Sequence, residues 1–466
     1  MKKTKIVCTL GPSSSSKETI KAMALAGMNV ARFNMSHGNH ESHKKLIDLV
    51  KEVREELKLP IAILIDTKGP EIRVRQFENG SVQLVKGQKF ILTTKKCLGN
   101  SDIASVTLST FNKVVSKDTI ILLNDGFIKL KVENIIDKNV ECKVVVGGKL
   151  SNNKSINIPG LELDKEYLSK VDKEDILFGI EQGADVFAIS FVGCKSDVLS
   201  VRKFLEANGA KDAIVCSKIE SQCGVDNLDD IIDVSDSIMV ARGDLGVEIP
   251  FEKIPYVQKL IIDKCLKLGK PVITATEMLE SMTHNLRPTR AEISDVANAV
   301  EDGSSLVMLS GETSAGENPV LSVQTMASIV EESEKNIKYK NSKFEESNNV
   351  SSSIGFASCE LAQSLKAKAI VVVTNSGFAG KSVSRFRPAC PIIACTPNKK
   401  VFNQLAFYWG VNPVMDNEYS DTDNLLRSAR EKAFETKLVK KGDLVVQTAS
   451  IKTDKSGSNL LVVEHI

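Results

Sequence analysis

Short apolar runs alternate along most of the chain with segments in which apolar residues recur every three or four positions. The runs are rich in Val, Ile and Ala, which is typical of strands buried on both faces of a parallel sheet. We predict eight such strands: Lys5–Leu10, Asn29–Asn34, Ile61–Asp66, Asp185–Phe191, Ala213–Ile219, Ser237–Ala241, Pro271–Ala275 and Ser304–Leu309. Most of the intervening segments have a helical period, and eight strand-then-helix units in order predict a closed parallel (β/α)8 barrel of the TIM type.

One interval, between Gly69 and about Tyr167, has no convincing long helix. It contains short strands of alternating polarity separated by Gly, Asn and Asp, at Val82–Val85, Phe90–Thr93, Ile120–Leu123, Ile128–Val132 and Glu141–Val146. We interpret residues 70–166 as a small all-β domain, an inserted β-barrel that follows the third strand of the larger barrel. Because insertions at the carboxyl end of a barrel strand lie over the catalytic face, this domain is expected to act as a lid.

A third domain is predicted after about Lys340. The polar stretch Asn341–Ser353 resembles a linker. New strand signals follow it at Ala369–Thr374, Pro391–Thr396, Leu444–Thr448 and Leu460–Glu464, with helical patterns between them. The prediction is therefore a barrel formed by residues 1–69 and 167–340, and a C-terminal α/β domain with an open sheet, residues 341–466, for regulation and oligomerisation.

Composition excludes several classes of protein. The chain has 466 residues, of which 42% are hydrophobic, so it has enough apolar material for sizeable cores and is not a disordered or fibrous chain. Lys and Arg total 61 against 59 for Asp and Glu, which gives no reason to expect nucleic acid or a membrane surface as a partner. Neither a secretory leader nor a membrane span is predicted. The ten cysteines form no CxxC pair, and we expect reduced, buried thiols in a cytoplasmic protein.

Polar residues follow several of the predicted barrel strands, where a parallel barrel carries its reactive groups. Glu220 and Asp244 end adjacent strands without Cys or His nearby, which suits a hard, oxygen-preferring ion such as magnesium. Lys218 lies two positions from Glu220 and shares its face, and Arg32 and Arg73 add positive charge for a phosphorylated substrate. The alternative is a set of structural salt bridges, which five agreeing strand ends disfavour.

The same strand ends carry a resemblance to the pyruvate kinase family over essentially the whole chain. The matching strings are CTLGP at 8–12, ARFNMSHG at 31–38, DTKGPEIR at 66–73, SKIE at 217–220, MVARGDLGVE at 239–248, TEMLESM at 276–282, RPTRAE at 287–292 and SGET at 310–313. The resemblance implies transfer of a phosphoryl group from phosphoenolpyruvate to ADP, which yields pyruvate and ATP in the last step of glycolysis. It assigns Lys218 to the phosphoryl group in flight, Arg32 to the phosphate, Gly243 and Thr276 to substrate binding, and Thr276 also to protonation of the enolate.

The resemblance also implies cofactors and co-substrates. Glu220 and Asp244 would hold Mg2+ or Mn2+, and Asp244 also contacts the substrate. The ligands implied for K+ are all oxygen donors: Asn34, Ser36, Asp66 and Thr67. Asn34, His37, Arg73 and Lys154 match positions at the nucleotide site, ADP and ATP being the co-substrates, with Lys154 supplied by the inserted domain.

Regulation is expected in the C-terminal domain. Ser376–Ser382 resembles a Walker A loop, but Asn375 occupies the position of the first glycine, so that motif fails. In the family this loop binds an allosteric sugar phosphate, and the family resemblance implies a homotetramer. Phe378 and Ala379 stand where the family has polar or hydroxyl residues, so we expect weak activation, or none, by fructose 1,6-bisphosphate.

Two other functions stay open at this point: a magnesium-dependent aldolase or lyase acting on enolates with the same barrel, and a catalytically silent homologue that binds metabolites. The first needs neither nucleotide residues nor a lid, and the intact catalytic set disfavours the second. A zinc site at His37, His40 and His43 is disfavoured because no cysteine accompanies them; His37 is expected at the nucleotide and the other two in solvent. The chain departs from the family at Gly193 and Glu277 and in Leu163–Asp172, which lacks the usual proline-containing hinge.

Overall fold

The computed structural model describes residues 2–161, 167–337, 349–419, 421–450 and 458–466. The chain begins with β1 (Lys5–Thr9), α1 (Lys17–Ala26), β2 (Val30–Asn34), α2 (His40–Leu57) and β3 (Ala62–Asp66). Both helices start at a polar cap, since the side chains of Ser16 and Asn39 each accept a backbone N–H from the first turn. α2 ends at Lys58, which adopts a left-handed conformation with φ of 53°.

A region of short strands follows β3. It comprises β4 (Ile72–Arg73), β5 (Ser81–Leu84), β6 (Lys89–Thr93), β7 (Ile103–Ser105), the single-turn helix α3 (Phe111–Val114), β8 (Ile120–Leu123), β9 (Ile128–Ile136), β10 (Asn139–Val146), β11 (Gly148–Ser151) and β12 (Ser155–Asn157). Seven strands form one sheet in the order β4-β12-β8-β9-β10-β6-β7, and β5 pairs with β11. Val74, which follows β4, and Val106, which follows β7, form an antiparallel bridge. The two edges of the sheet therefore meet, and the sheet curls back on itself.

The second half of the barrel continues the alternation of strand and helix. Its strands are β13 (Val186–Ile189), β14 (Ile214–Ile219), β15 (Ser237–Ala241), β16 (Val272–Ala275) and β17 (Leu306–Leu309). Its helices are α4 (Lys170–Glu181), α5 (Lys195–Ala207), α6 (Gln222–Asp226), α7 (Leu228–Val234), α8 (Arg242–Glu248), α9 (Ile254–Leu268), α10 (Arg290–Asp302), α11 (Gly311–Ser314) and α12 (Pro319–Asn336). The eight strands close in the order β1-β17-β16-β15-β14-β13-β3-β2, with parallel pairing throughout.

The remaining chain forms an α/β unit. It contains α13 (Val350–Ser364), β18 (Ala369–Val373), α14 (Phe378–Ser384), β19 (Ile392–Thr396), α15 (Lys399–Gln404), β20 (Val411–Met415), α16 (Thr422–Glu435), β21 (Leu444–Ala449) and β22 (Leu460–His465). The sheet order is β20-β19-β18-β21-β22, and only the pairing of β21 with β22 is antiparallel. This is an open, mostly parallel sheet with one antiparallel edge strand.

The predicted fold class is confirmed: a closed parallel barrel, a small β unit after its third strand, and a C-terminal α/β unit. Two details of the prediction were wrong. Strand β20 was missed because Pro413 and the polar Asn412 interrupt its apolar pattern, which an edge strand tolerates. Residues 350–353 of the predicted linker are the first turn of α13, capped by Asn349, and residues 341–348 lie outside the described ones. No helix in the described ranges is both long and apolar enough to span a membrane.

Candidate active site

Side chains along each barrel strand alternate between the barrel interior and the surrounding layer of helices. This alternation positions the polar side chains at the carboxyl ends of the strands. Ile214 and Cys216 of β14 pack inside the barrel, whereas Val215 and Ile219 pack against the surrounding helices. Because side chains alternate along a strand, Lys218 and Glu220 continue the inner row. By the same argument, the inner rows of neighbouring strands end in Thr9, Arg32, Asp66 and Ser190.

Lys218 lies at the centre of this inner cluster. Its Nζ is 3.0 Å from Asp66 Oδ1, 2.8 Å from Glu220 Oε1 and 2.8 Å from Ser190 Oγ. Burial disfavours the ammonium, but the two carboxylates outweigh that effect and raise the pKa of Lys218 above its usual value. The side chain is therefore a fixed cation, held at the top of the barrel by three strands.

Arg32 is the second buried cation of the cluster. Its Nε donates to Asp66 Oδ2 at 2.7 Å, and its Nη1 donates to Thr9 Oγ1 at 2.8 Å. Asp66 is fully buried, which opposes its charge, yet Lys218 and Arg32 together hold the pKa of its carboxyl below the usual range. One carboxylate thus orients two cations from two separate strands, which suits recognition of a phosphate group.

Strained backbone follows β16. Thr276 and Glu277 have φ angles of 67° and 53°, which residues with a side chain rarely adopt. The buried Arg242 holds this turn: its Nη2 donates to the carbonyl of Glu277 at 3.1 Å and also to that of Thr276, and its Nη1 pairs with Asp295 at 2.7 Å. The N–H of Gly243 donates to Thr276 Oγ1 at 2.8 Å, so the hydroxyl faces the start of α8.

A cavity of about 890 Å³ opens between the barrel rim and the β unit. Its wall includes five of the predicted site residues: His37, Arg73, Lys154, Gly243 and Asp244. Arg73 and Lys154 come from the β unit, on β4 and beside β12, whereas the other three come from the barrel. The volume is within the range of small-molecule sites, and residues of both units face the same space.

The other predicted site residues lie at the neighbouring strand ends. Asn34 and Asp66 are register partners on β2 and β3, with Ser36 and Thr67 close by in the chain. Asn34 Oδ1 accepts the N–H of Ser36 at 3.1 Å, and Thr67 Oγ1 accepts the N–H of Ser190 at 3.3 Å. The structure therefore brings the four oxygen-bearing side chains to one end of two adjacent strands.

The carboxylates proposed for a divalent ion differ in their surroundings. Glu220 is buried; its Oε2 accepts the N–H of Phe191 at 2.6 Å, and its Oε1 lies 2.8 Å from Lys218 Nζ. Burial, followed by the nearby charge of Asp244, raises the pKa of Glu220 despite Lys218. Asp244 is exposed in the cavity wall. A divalent cation would offset this repulsion between the two carboxylates, so the pair fits such an ion.

No cluster of three or more His, Cys, Asp and Glu side chains that could hold a metal ion occurs in the described ranges. Magnesium is commonly bound by one or two carboxylates together with water and substrate oxygens, so two carboxylates suffice for the predicted site.

Two of the three clustered histidines, His40 and His43, have structural partners. His43 Nε2 lies 2.7 Å from the carbonyl of His37, and His43 is buried, so its expected place in solvent was wrong. The reason is that α2 turns this face toward the barrel, where His43 meets Phe33 edge-on. His40 pairs with Asp175 at 2.6 Å and stacks on Phe178. Only His37 lines the cavity.

Sequence reasoning did not assign a role to Ser190 or Arg242, although both stand at strand ends. Ser190 Oγ donates to the carbonyl of Thr67 at 2.7 Å and contacts Lys218, so it positions the lysine. Arg242 supports the turn that carries Thr276. The signal for Ser190 was its place on the inner row after Val186 and Ala188 of β13.

Two family models match the chain in order along the sequence. The pyruvate kinase barrel domain matches residues 1–323, and the pyruvate kinase alpha/beta domain matches residues 352–464. The chain belongs to the pyruvate kinase family.

Similar curated proteins agree with these matches over the full chain. The pyruvate kinase of Clostridium acetobutylicum is 44% identical over 472 residues that span all of both proteins. The pyruvate kinases of Sporosarcina psychrophila and Bacillus licheniformis are 45% and 46% identical over 100% and 99% of this chain, and each match covers 80% of the relative. The family membership predicted from the strand-end motifs is confirmed.

Proposed function

We propose that this chain transfers the phosphoryl group of phosphoenolpyruvate to ADP, giving ATP and pyruvate. The P–O bond to the enol oxygen breaks, a bond to a terminal oxygen of ADP forms, and the resulting enolate takes a proton at carbon. The observation that carries the proposal is the pair of buried cations, Arg32 and Lys218, at the same end of the barrel as a cavity lined from both the barrel and the β unit. Such an arrangement suits phosphoryl transfer, in which positioning and charge stabilisation supply most of the catalysis.

Lys218 and Arg32 would bind the phosphoryl group from the barrel side. Their charges are pre-oriented by Asp66 and buried, so little reorganisation is needed when negative charge spreads over the transferring oxygens. Lys218 is the group we assign to the phosphoryl group in flight. Arg32 is assigned to holding the phosphate of the bound substrate.

Thr276 and Gly243 would form the opposite wall of the substrate site. The Thr276 hydroxyl is held between the Gly243 N–H and the carbonyl of Ala275, which leaves it able to pass a proton toward a bound enolate. Left-handed backbone at Thr276, fixed by Arg242, directs the hydroxyl. We therefore assign Thr276 to the proton relay and Gly243 to binding.

Glu220 and Asp244 would hold Mg2+ or Mn2+, with substrate oxygens completing the coordination. Asn34, Ser36, Asp66 and Thr67 are the proposed K+ ligands, since oxygen donors suit a hard monovalent cation. When bound, the cations neutralise charge on the phosphates. His37, Arg73 and Lys154, together with Asn34, are proposed to contact ADP, because three of them line the large cavity.

We further propose the division into three domains at 1–69 with 167–340, 70–166 and 341–466, the middle one closing as a lid to exclude water. A cytoplasmic homotetramer with a phosphate-ester effector at the loop of residues 374–380 is also proposed. Support for the location comes from the ten cysteines, all of which are free thiols.

The test measures pyruvate formation from phosphoenolpyruvate with and without ADP, at saturating Mg2+ and K+. We expect pyruvate only when ADP is present, with equimolar ATP. Pyruvate or an aldol product without ADP would indicate a lyase, and no turnover with intact binding of phosphoenolpyruvate would indicate a silent homologue.

A further inference from the structure

A second cavity, of about 390 Å³, lies wholly within the C-terminal α/β unit. It is enclosed by α13, by the turn that leads into β18, and by the loop between α14 and β19. It shares no residue with the large cavity at the barrel rim or with the loop of residues 374–380. It is therefore a separate compartment from the active-site cavity and from that loop.

The inner wall of this cavity is apolar. Cys359, Ala362, Ala367, Phe386 and Pro388 are all buried there. Phe356 also lines the space, and its ring meets that of Phe386 edge to face at a centroid distance of 5.5 Å. Walls of this kind bind the apolar body of a ligand and exclude its hydration water.

The rim of the cavity is cationic. Lys366 and Lys368 are exposed at the edge, and neither side chain forms an ion pair with a described residue. The lining contains one carboxylate, Glu360, against three cations, these two lysines and Arg387. Burial raises the pKa of the Cys390 thiol to about 11, so this lining group stays neutral near pH 7. The charges of the lining thus sum to a positive value and favour an anionic group at the mouth.

Backbone conformation at the mouth is unusual. Lys366 and Arg387 stand on opposite walls, and both have left-handed backbone, with φ of 54° and 51°. Residues with a side chain rarely keep this conformation unless surrounding structure imposes it. The strain accordingly marks the two segments that bracket the opening.

One wall of the cavity also contacts the base of the barrel. Arg387 Nη2 donates to the carbonyl of Gly303 at 3.0 Å and to Ser305 Oγ at 2.7 Å, just before β17. Lys3 Nζ donates to the carbonyl of Ala389 at 2.6 Å, just before β1. A molecule in the cavity would therefore touch the loop through which the C-terminal unit contacts the base of the barrel.

We propose that this cavity binds a small amphipathic anion, with its apolar body against Phe356 and Phe386 and its single negative charge at Lys366 and Lys368. The shape and charge of the lining together select this chemistry: a neutral apolar molecule would leave the two rim ammoniums unmatched, and a highly charged one would have to bury charge against the phenyl rings. The inference does not depend on the proposed reaction.

The experiment titrates the full chain with 8-anilinonaphthalene-1-sulfonate, a fluorescent aryl anion, and in parallel with the neutral N-phenyl-1-naphthylamine. The double substitution K366Q/K368Q is expected to weaken binding of the anion about tenfold, which is about 1.4 kcal/mol, and to leave the neutral probe nearly unchanged. The matched control K440Q/K441Q removes two exposed lysines of the same unit outside the cavity and should change neither titration.

A cavity-filling substitution, Ala362→Leu, should abolish binding of both probes while circular dichroism and the unfolding midpoint stay close to those of the parent. If Ala362→Leu unfolds the unit, the rim variant alone decides the matter. Equal affinity of K366Q/K368Q and the parent for the anion would overturn the proposal, as would displacement of the probe by Mg-ADP, which would place it at the barrel rim. Because the readout is fluorescence, a failed kinase assay would leave this result unaffected.

Discussion

Replacing Lys218 by Met is the sharpest test of the site, because it removes the ammonium and keeps most of the side chain's length. In the parent, three oxygens surround Nζ within 3.0 Å, from Asp66, Glu220 and Ser190. After the change Asp66 still pairs with Arg32 at 2.7 Å, whereas Glu220 loses its ion-pair partner. The pKa of Glu220, already raised by burial, should therefore rise further.

The expected effects have different sizes and causes. Loss of one charge that stabilises the transition state lowers kcat by roughly a hundredfold to a thousandfold. Breaking a buried ion pair lowers the free energy of unfolding by about 3–5 kcal/mol. Saturating Mg2+ restores part of the stability, since a bound cation takes over the neutralisation of Glu220, but it does not restore kcat.

The assay is steady-state formation of pyruvate coupled to an NADH-dependent dehydrogenase, together with urea unfolding at several Mg2+ concentrations. Lys5→Met is the matched control, because Lys5 is also a buried lysine but lies at the opposite end of the barrel, donating to the carbonyl of Val411. It should lower stability with kcat within about threefold of the parent. A Lys218→Met enzyme that keeps more than about a tenth of the parent kcat would refute the assignment.

Four further predictions follow from individual contacts. Glu220→Gln removes one of two anionic ligands and should raise the Mg2+ concentration needed for half-maximal rate, whereas an unchanged requirement would exclude Glu220 as a ligand. Glu71 is a carboxylate that accepts two hydrogen bonds from Arg73, so this position supplies no positive charge in place of K+, and we expect activation by K+. Glu71→Lys adds such a charge and should relieve the requirement. Equal rates of the parent in K+ and in a bulky organic cation alone would contradict this. Arg242→Lys cannot span the carbonyls of the Thr276 turn, so kcat should fall about tenfold or more with little change in thermal midpoint. Burial raises the pKa of Asp185 from 3.8 to about 6, so the folded state binds its proton more tightly and loses stability as pH rises through that window. Relative to the parent, Asp185→Asn should gain on the order of 3 kcal/mol between about pH 4 and pH 7, and a pH-independent difference in denaturation midpoints would show that the carboxyl titrates normally.

Periodicity alone was enough to predict the barrel. Strands such as β14, with apolar residues on both faces, can be stable only when a second core covers them, so a closed barrel wrapped in helices follows from local pattern. The polar ends of those strands could also be read directly, because the carboxyl ends of parallel strands converge. The position of Lys218 two residues before Glu220 already placed both on one face.

Tertiary structure decided which partner each of these groups takes. Asp66 orients both Arg32 and Lys218 only because β2, β3, β13 and β14 lie side by side in the barrel. Asp66 and Lys218 are 152 positions apart in the chain, and the barrel brings them into contact. The role of Arg242 was also visible only in the tertiary structure, since Arg242 supports the turn after the next strand through that turn's backbone carbonyls, which carry no sequence signal. The second cavity had no signal in the sequence: α13 and the loop before β19 are each unremarkable segments, and their apolar and cationic residues form a compartment only when packing brings them together.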